Sequence, residues 1–228
     1  NLDVAYSEAW GAVDETSFAL VSVPQIADRY YTVQFLNGWG ETVANLNERT
    51  FPQHPSGKFA LCLKGSKVEV PPDAMRVDVP VKAMRVLSRV ELGTNWDEAV
   101  ALQQQFDIRP VGQPAIPTVP KTVMFEIDAL PGVEAFDSAD LALDSETDIN
   151  PGMETLQADV RPTAKAARLP DARQRIDEVI RGQAFANIKK AMPNLGHGTV
   201  RNAWALPSTS GVYGEDWVVR TLINYARY

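Results

Sequence analysis

The residues best suited to hold a small molecule gather near the start of the chain: Asp3, Tyr6, Trp10, Arg29, Tyr30, Tyr31, Trp39 and Arg49. Aromatic rings make apolar walls, and an arginine presents a planar fork that matches a carboxylate, so this set suits a small organic ligand. The same residues have a structural reading. Tyr and Trp fill the walls of sheet proteins, and an Asp–Arg pair fixes many a strand end. The ligand-binding candidates are Asp3, Tyr6, Arg29, Tyr31, Trp39 and Arg49, and no residue is singled out as catalytic.

Other chemistries lack their residues. The two histidines, His54 and His197, are far apart and have no cysteine or histidine near them, so neither a structural zinc nor a catalytic metal centre is expected. His54, between Pro52 and Pro55, reads as a turn residue, and His197 as a loop residue among glycines. Gly-x-Ser-x-Gly is missing, and Gly65-Ser66-Lys67 lacks the upstream glycine of a phosphate-binding loop. Asp144, Glu146, Asp148 and Asn150 have the spacing of calcium ligands. Ile149 stands where such a loop turns on glycine, however, and Thr155 stands where its bidentate glutamate belongs. Residues 137–150 are therefore expected to form a loop-rich acidic surface with no bound cation. No cofactor is expected.

Period-two alternation predicts strands over Phe18–Val23, Tyr30–Leu36, Lys58–Lys64, Met75–Val79 and Ala83–Leu92. Tyr31, Val33, Phe35, Phe59, Leu61, Val77, Met84 and Val86 are expected to face inward. Prolines at 24, 52, 55, 71, 72 and 80 punctuate these runs and favour an antiparallel sandwich over a βαβ sheet. Thr94 and Asp97 are spaced as a capping box for a helix carrying Ala99, Leu102 and Phe106 and ending before Pro110. Four prolines and a glycine between Pro110 and Pro120 place a boundary there. The organisation expected is a β-sandwich with one closing helix over residues 1–112 and a mainly helical segment with an acidic loop region over 113–228.

The second segment is polarised. Carboxylates from Glu126 to Asp159 occur with no lysine or arginine among them, whereas residues 161–190 are rich in both, so an acidic strip is expected to lie against a basic helix. Ile176, Val179, Ile180, Ala184 and Ile188 predict that helix, running from about Asp171 to Lys190. A last helix is expected from Glu215, with Val218, Val219, Leu222 and Ile223 in one stripe that a neighbour must cover.

Composition excludes whole classes. The 228 residues carry a net charge of −7 and 45% hydrophobic content, enough for a sizeable core but without the positive field that gathers nucleic acid. No apolar run is long enough to span a membrane, and the N-terminus has no signal-peptide pattern. The first residue is not Met and Tyr228 falls inside an apolar pattern, so both ends read as cut. Cys62, alone between Leu61 and Leu63, reads as a buried thiol and is equally compatible with a periplasmic or a cytoplasmic protein.

Asn1-Leu2-Asp3, Tyr6-Ser7, Ala9-Trp10, Val21-Ser22-Val23-Pro24, Arg29-Tyr30-Tyr31-Thr32-Val33-Gln34 and Trp39 resemble the opening of the bacterial family called domain of unknown function 1254. Arg85-Val86-Leu87-Ser88-Arg89, Ala99-Val100-Ala101-Leu102-Gln103 and Gly211-Val212-Tyr213-Gly214-Glu215-Asp216 with Arg220 extend the resemblance along the chain. Val4-Ala5 and Asn47-Glu48-Arg49-Thr50 depart from the family pattern. The resemblance implies an α+β fold, an immunoglobulin-like antiparallel sandwich followed by a helical insert. It also implies a C-terminal jelly-roll domain of another unknown-function family, 1214, absent here, and assembly into homo-oligomers. It brings no catalytic residues.

Two functions stay open. One is a non-catalytic binding or assembly module within a larger multidomain protein. The other is a hydrolase-like enzyme for small organic molecules, with its site at the junction with the missing C-terminal domain. A pocket joining Asp3, Tyr6, Arg29 and Arg49 around a perturbed carboxylate would favour the enzyme, and a flat exposed face would favour assembly.

Overall fold

The computed structural model describes residues 3–116, 118, 121–124, 126, 129–147, 149, 153–191, 199–201 and 204–206. The expected helix from Glu215, its apolar stripe, and His197 lie outside the described residues. The chain forms two compact units, Asn1–Pro117 and Thr118–Tyr228. Sheets and helices together make the fold α+β.

The first unit holds two four-stranded sheets. Its strands are β1 (Val4–Ala12), β2 (Phe18–Val23), β3 (Tyr31–Leu36), β4 (Thr42–Leu46), β5 (Gly57–Leu63), β6 (Ala74–Val79), β7 (Ala83–Glu91) and β8 (Asp107–Val111), with helix α1 (Trp96–Gln103) between the last two. One sheet runs β1-β7-β3-β4 and the other β6-β5-β2-β8. All pairs are antiparallel except β5–β6, which is parallel. That pair departs from the antiparallel expectation because residues 64–73 carry the chain back across the sheet. Arg76 anchors this crossover by donating to the Ser66 and Val68 carbonyl oxygens at 2.8 and 3.1 Å.

The crossover also explains why β2 and β5 are buried on both faces. Phe18, Leu20, Ala60 and Cys62 pack beneath Val68, Val70 and Ala74, while Val21, Phe59 and Leu61 are also buried. Phe59 meets the Phe51 ring edge-on at 5.4 Å and the His54 ring at 4.9 Å, so the turn histidine serves as a lid on the core. Tyr31, Val33, Phe35, Leu61, Met84 and Val86 are all buried. Val77 is only half-buried, since β6 is an edge strand.

Three local expectations need correction. The α1 cap is Asn95 rather than Thr94: its side chain accepts from the Glu98 amide at 3.2 Å, and asparagine caps as well as threonine. Residues 107–111 form an edge strand paired with β2. An edge tolerates Pro110, which has no N–H to give. Strand β1 was not expected at all, because its outward positions carry the aromatics Tyr6 and Trp10 and its inward ones only Ser7 and Ala9, the reverse of the usual alternation.

The second unit begins with a 3-10 helix (Val133–Ser138) running into α2 (Ala139–Asp144), followed by α3 (Met153–Ala166) and α4 (Pro170–Val179). A π-helical stretch (Ile180–Ala184) joins α4 to α5 (Phe185–Ala191), so the basic helix is continuous but overwound in its middle. Strands β9 (Thr199–Arg201) and β10 (Trp204–Leu206) form a hairpin. Residues 133–144 are thus helical rather than loop-rich. Their carboxylates meet the arginines: Asp137 pairs with Arg173 at 2.6 Å, Asp140 with Arg168 at 2.6 Å, and Asp144 with Arg161 at 2.6 Å. Neutralised in this way, an acidic run can coil where unpaired like charges would repel.

Candidate functional site

The outer face of the first sheet is built by alternation along β1. Tyr6, Glu8 and Trp10 point one way and Ser7 and Ala9 the other, following the two-residue period. Register sets Tyr6 beside Arg89, Glu8 beside Leu87 and Trp10 beside Arg85, with Thr32 and Gln34 of β3 on the far side of Arg89 and Leu87. The Arg89 guanidinium lies over the Tyr6 ring, 5.1 Å from its centroid, and donates to Gln34 Oε1 at 3.0 Å. Arg85 is ion-paired with Glu8. Both arginines are therefore tied down within a flat face on which Trp10 remains 75% exposed and Tyr6 43% exposed.

The six candidate residues have separate surroundings. Tyr6 stands on this outer face. Asp3 is exposed at the head of β1, and its carbonyl accepts from the Leu92 amide at 2.8 Å. Arg29 spends its guanidinium on the end of β7 and on α1, donating to the Glu91 and Leu92 carbonyls at 2.6 and 2.8 Å and to Glu98 Oε2 at 2.9 Å. Tyr31 is buried. Its hydroxyl donates to the Pro55 carbonyl at 2.5 Å, and burial, then the Glu48 charge, raises its pKa above the ordinary phenol value. Trp39 sits in the β3–β4 turn with its indole N–H buried and unpartnered among the described residues. Arg49 is exposed in the turn after β4, its amide donating to Asn47 Oδ1 at 2.9 Å.

None of the six lines the cavity of about 300 Å³ that opens in the first unit. Its walls come from both sheets: Ser7 and Ala9 of β1, Val33 of β3, Val86 and Ser88 of β7, Val21 of β2, and Phe106 to Ile108 at the entry to β8. Sequence reasoning passed over Ser88. The signal was present as the one polar residue in the inward series Met84, Val86, Ser88, Val90.

Carboxylates with depressed pKa values all have structural causes. Asp14 is held far below the usual range by hydrogen bonds from the Ser17 hydroxyl, the Ala115 and Thr16 amides and the Thr16 hydroxyl. Lys82 lowers Glu15, and Lys58 lowers Asp73. In the second unit the backbone amides of Glu134 itself and of Gly132 lower Glu134, Arg173 lowers Asp137, and the Val133 amide with Arg181 lowers Asp177. Burial raises the Cys62 thiol.

No helix among the described residues is long and apolar enough to cross a membrane. No curated protein matches the chain in sequence. Among solved structures it is similar to the VPA0106 protein from Vibrio parahaemolyticus, at a TM-score of 0.60 and 16% identity, a likeness of fold alone. The match covers 100% of this chain and 56% of that one, so the chain spans little more than half the length of its structural relative. Residues 1–110 match the family described as "Protein of unknown function (DUF1254)".

Proposed function

We propose that the chain is a non-catalytic binding and assembly module whose first unit, an immunoglobulin-like sandwich, docks a further domain of the same protein on the outer face of the β1-β7-β3-β4 sheet. The observation that carries this reading is the exposure of Trp10 and Tyr6 on one face of β1, where Arg85 is ion-paired with Glu8 and Arg89 is held by the Tyr6 ring and Gln34. Large exposed aromatics are characteristic of contact surfaces. The occupant is named from length, since the structural relative carries much more chain than this one. The sandwich reading draws on two four-stranded sheets with a shared cavity, the parallel β5–β6 pair being its departure from an all-antiparallel pattern. The hydrolase-like alternative draws no support from the carboxylates, whose depressed pKa values trace to hydrogen bonds and ion pairs within turns and helices.

Hydroxyl-radical footprinting tests the docking. Trp10 and Tyr6 are expected to be modified readily in residues 1–228 and to be protected severalfold in a longer chain that continues into the further domain, with Trp10→Asp restoring modification of Tyr6. Equal modification in both chains overturns the reading. So does a concentration-dependent mass of residues 1–228 that Trp10→Asp abolishes, which would assign the face to a second copy.

A further inference from the structure

Ser88 is 5% exposed, and its hydroxyl has no hydrogen-bond partner among the described residues. Leaving a buried hydroxyl unmatched costs stability, and a valine in its place, as at Val86 and Val90 along the same strand face, would avoid that cost. Ser88 instead stands in the lining of the cavity between the two sheets, with Ser7 directly across the β1–β7 ladder. Around the two serines the wall is apolar, made by Val21, Val33, Val86, Phe106 and Ile108. The cavity lies at the edge where β1 of one sheet and β8 of the other are outermost, which gives a ligand a way in.

From this geometry we propose that the cavity is a binding site for a small neutral organic molecule with an apolar body and one oxygen acceptor, which takes the hydrogen bond that Ser88 offers. Size sets the first limit. At about 300 Å³ the space lies at the lower end of ligand pockets, which run from roughly 300 to 1,000 Å³. Charge sets the second. Of the two charged residues in the lining, Glu8 turns its carboxylate to Arg85 on the outer face and Asp107 is exposed, so a bound carboxylate would find no cation in the wall. The class that fits is a single-ring or short-chain ketone, aldehyde or alcohol. This site is independent of the outer face, since Tyr6 and Trp10 point away from it along the same strand.

The test is a methyl-labelled NMR titration of residues 1–228 with acetophenone, its acceptor-free counterpart ethylbenzene, and benzoate. Acetophenone is expected to shift the methyl signals of Val33, Val86 and Ile108 saturably, with ethylbenzene weaker by about three- to tenfold, the worth of one hydrogen bond, and benzoate inactive. Ser88→Ala should remove the preference for the ketone while keeping the binding of ethylbenzene. Val86→Trp should fill the space and abolish both, and Ala9→Phe serves the same purpose from the neighbouring strand of the same wall if Val86→Trp melts early. The proposal is overturned if none of the three ligands shifts these methyls, if benzoate binds as well as acetophenone, if the ketone preference survives Ser88→Ala, or if a bound water alone satisfies Ser88 in the presence of ligand.

Discussion

At the scale of single residues, Asp14 shows how a carboxylate far from any reaction acquires a strongly shifted pKa. One of its oxygens accepts from the Thr16 amide and from the Thr16 and Ser17 hydroxyls, and the other accepts from the Ala115 amide, so it ties the β1–β2 turn to the segment after β8. Because folding lowers its pKa, its contribution is fully present above the unfolded value of about 4 and is lost as pH falls through the lower folded value. In Asp14→Asn an amide N–H₂ would face the Ala115 N–H, donor against donor. The melting temperature of the variant is expected to lie several degrees below wild type at pH 7, and the gap should narrow steadily below about pH 4. A gap that stays constant down to the acid limit of folding, followed by circular dichroism, would show that Asp14 does not act through its charge.

At the scale of elements, Gly132 sets how closely the start of the 3-10 helix approaches α4. A Cβ placed there would lie 2.1 Å from Asp177 Oδ1 and 2.2 Å from Arg181 Nη2, in space the ion pair already fills. The Val133 amide donates to Asp177 Oδ1 at 2.9 Å, so moving the carboxylate aside would also break a backbone contact. Gly132→Ala is expected to destabilise the second unit by roughly 1–3 kcal/mol through overpacking, measured by urea unfolding. Gly182→Ala is the control, since a Cβ there meets nothing within 4 Å; it should be neutral or mildly stabilising. If the two variants unfold alike, the close approach is not what requires glycine at 132.

At the scale of the whole molecule, the two units draw on different forces. The first buries Val21, Phe35, Phe59, Leu61 and Val90 almost completely, whereas among the described residues of the second the buried apolar side chains are Val133, Leu143, Ala164 and Ala167, and arginine–carboxylate pairs lace its helices. Salt screens exposed charges and leaves apolar burial intact. Raising sodium chloride from about 0.01 M to about 1 M is therefore expected to lower the melting of the second unit more than that of the first. Calorimetry, with hydrogen exchange to assign each transition, checks this. A single transition that salt moves as one would show that the units do not melt separately.

The inward face of β7 was legible in the sequence because a half-buried strand writes its burial as strict alternation, whereas β3 and β5 are buried on both faces, so alternation named their inward residues and missed the burial of the others. Of the expected helical stripe, Ile176, Ile180, Ala184 and Ile188 are half-buried and Val179 is exposed. The absence of recognisable nucleophile and nucleotide motifs was equally open to reading, since such motifs are local in sequence. What only tertiary structure decided depends on residues far apart in the chain. The parallel β5–β6 pair rests on where residues 64–73 lie, and β8 is a strand because β2 offers it an edge. Arg29 is a structural clasp because Glu91, Leu92 and Glu98 converge on it. Ser88 becomes a candidate ligand contact only once two sheets, whose strands interleave along the first unit, leave a space beside it. Periodicity reports which side of an element is buried, but a cavity is a property of several elements at once.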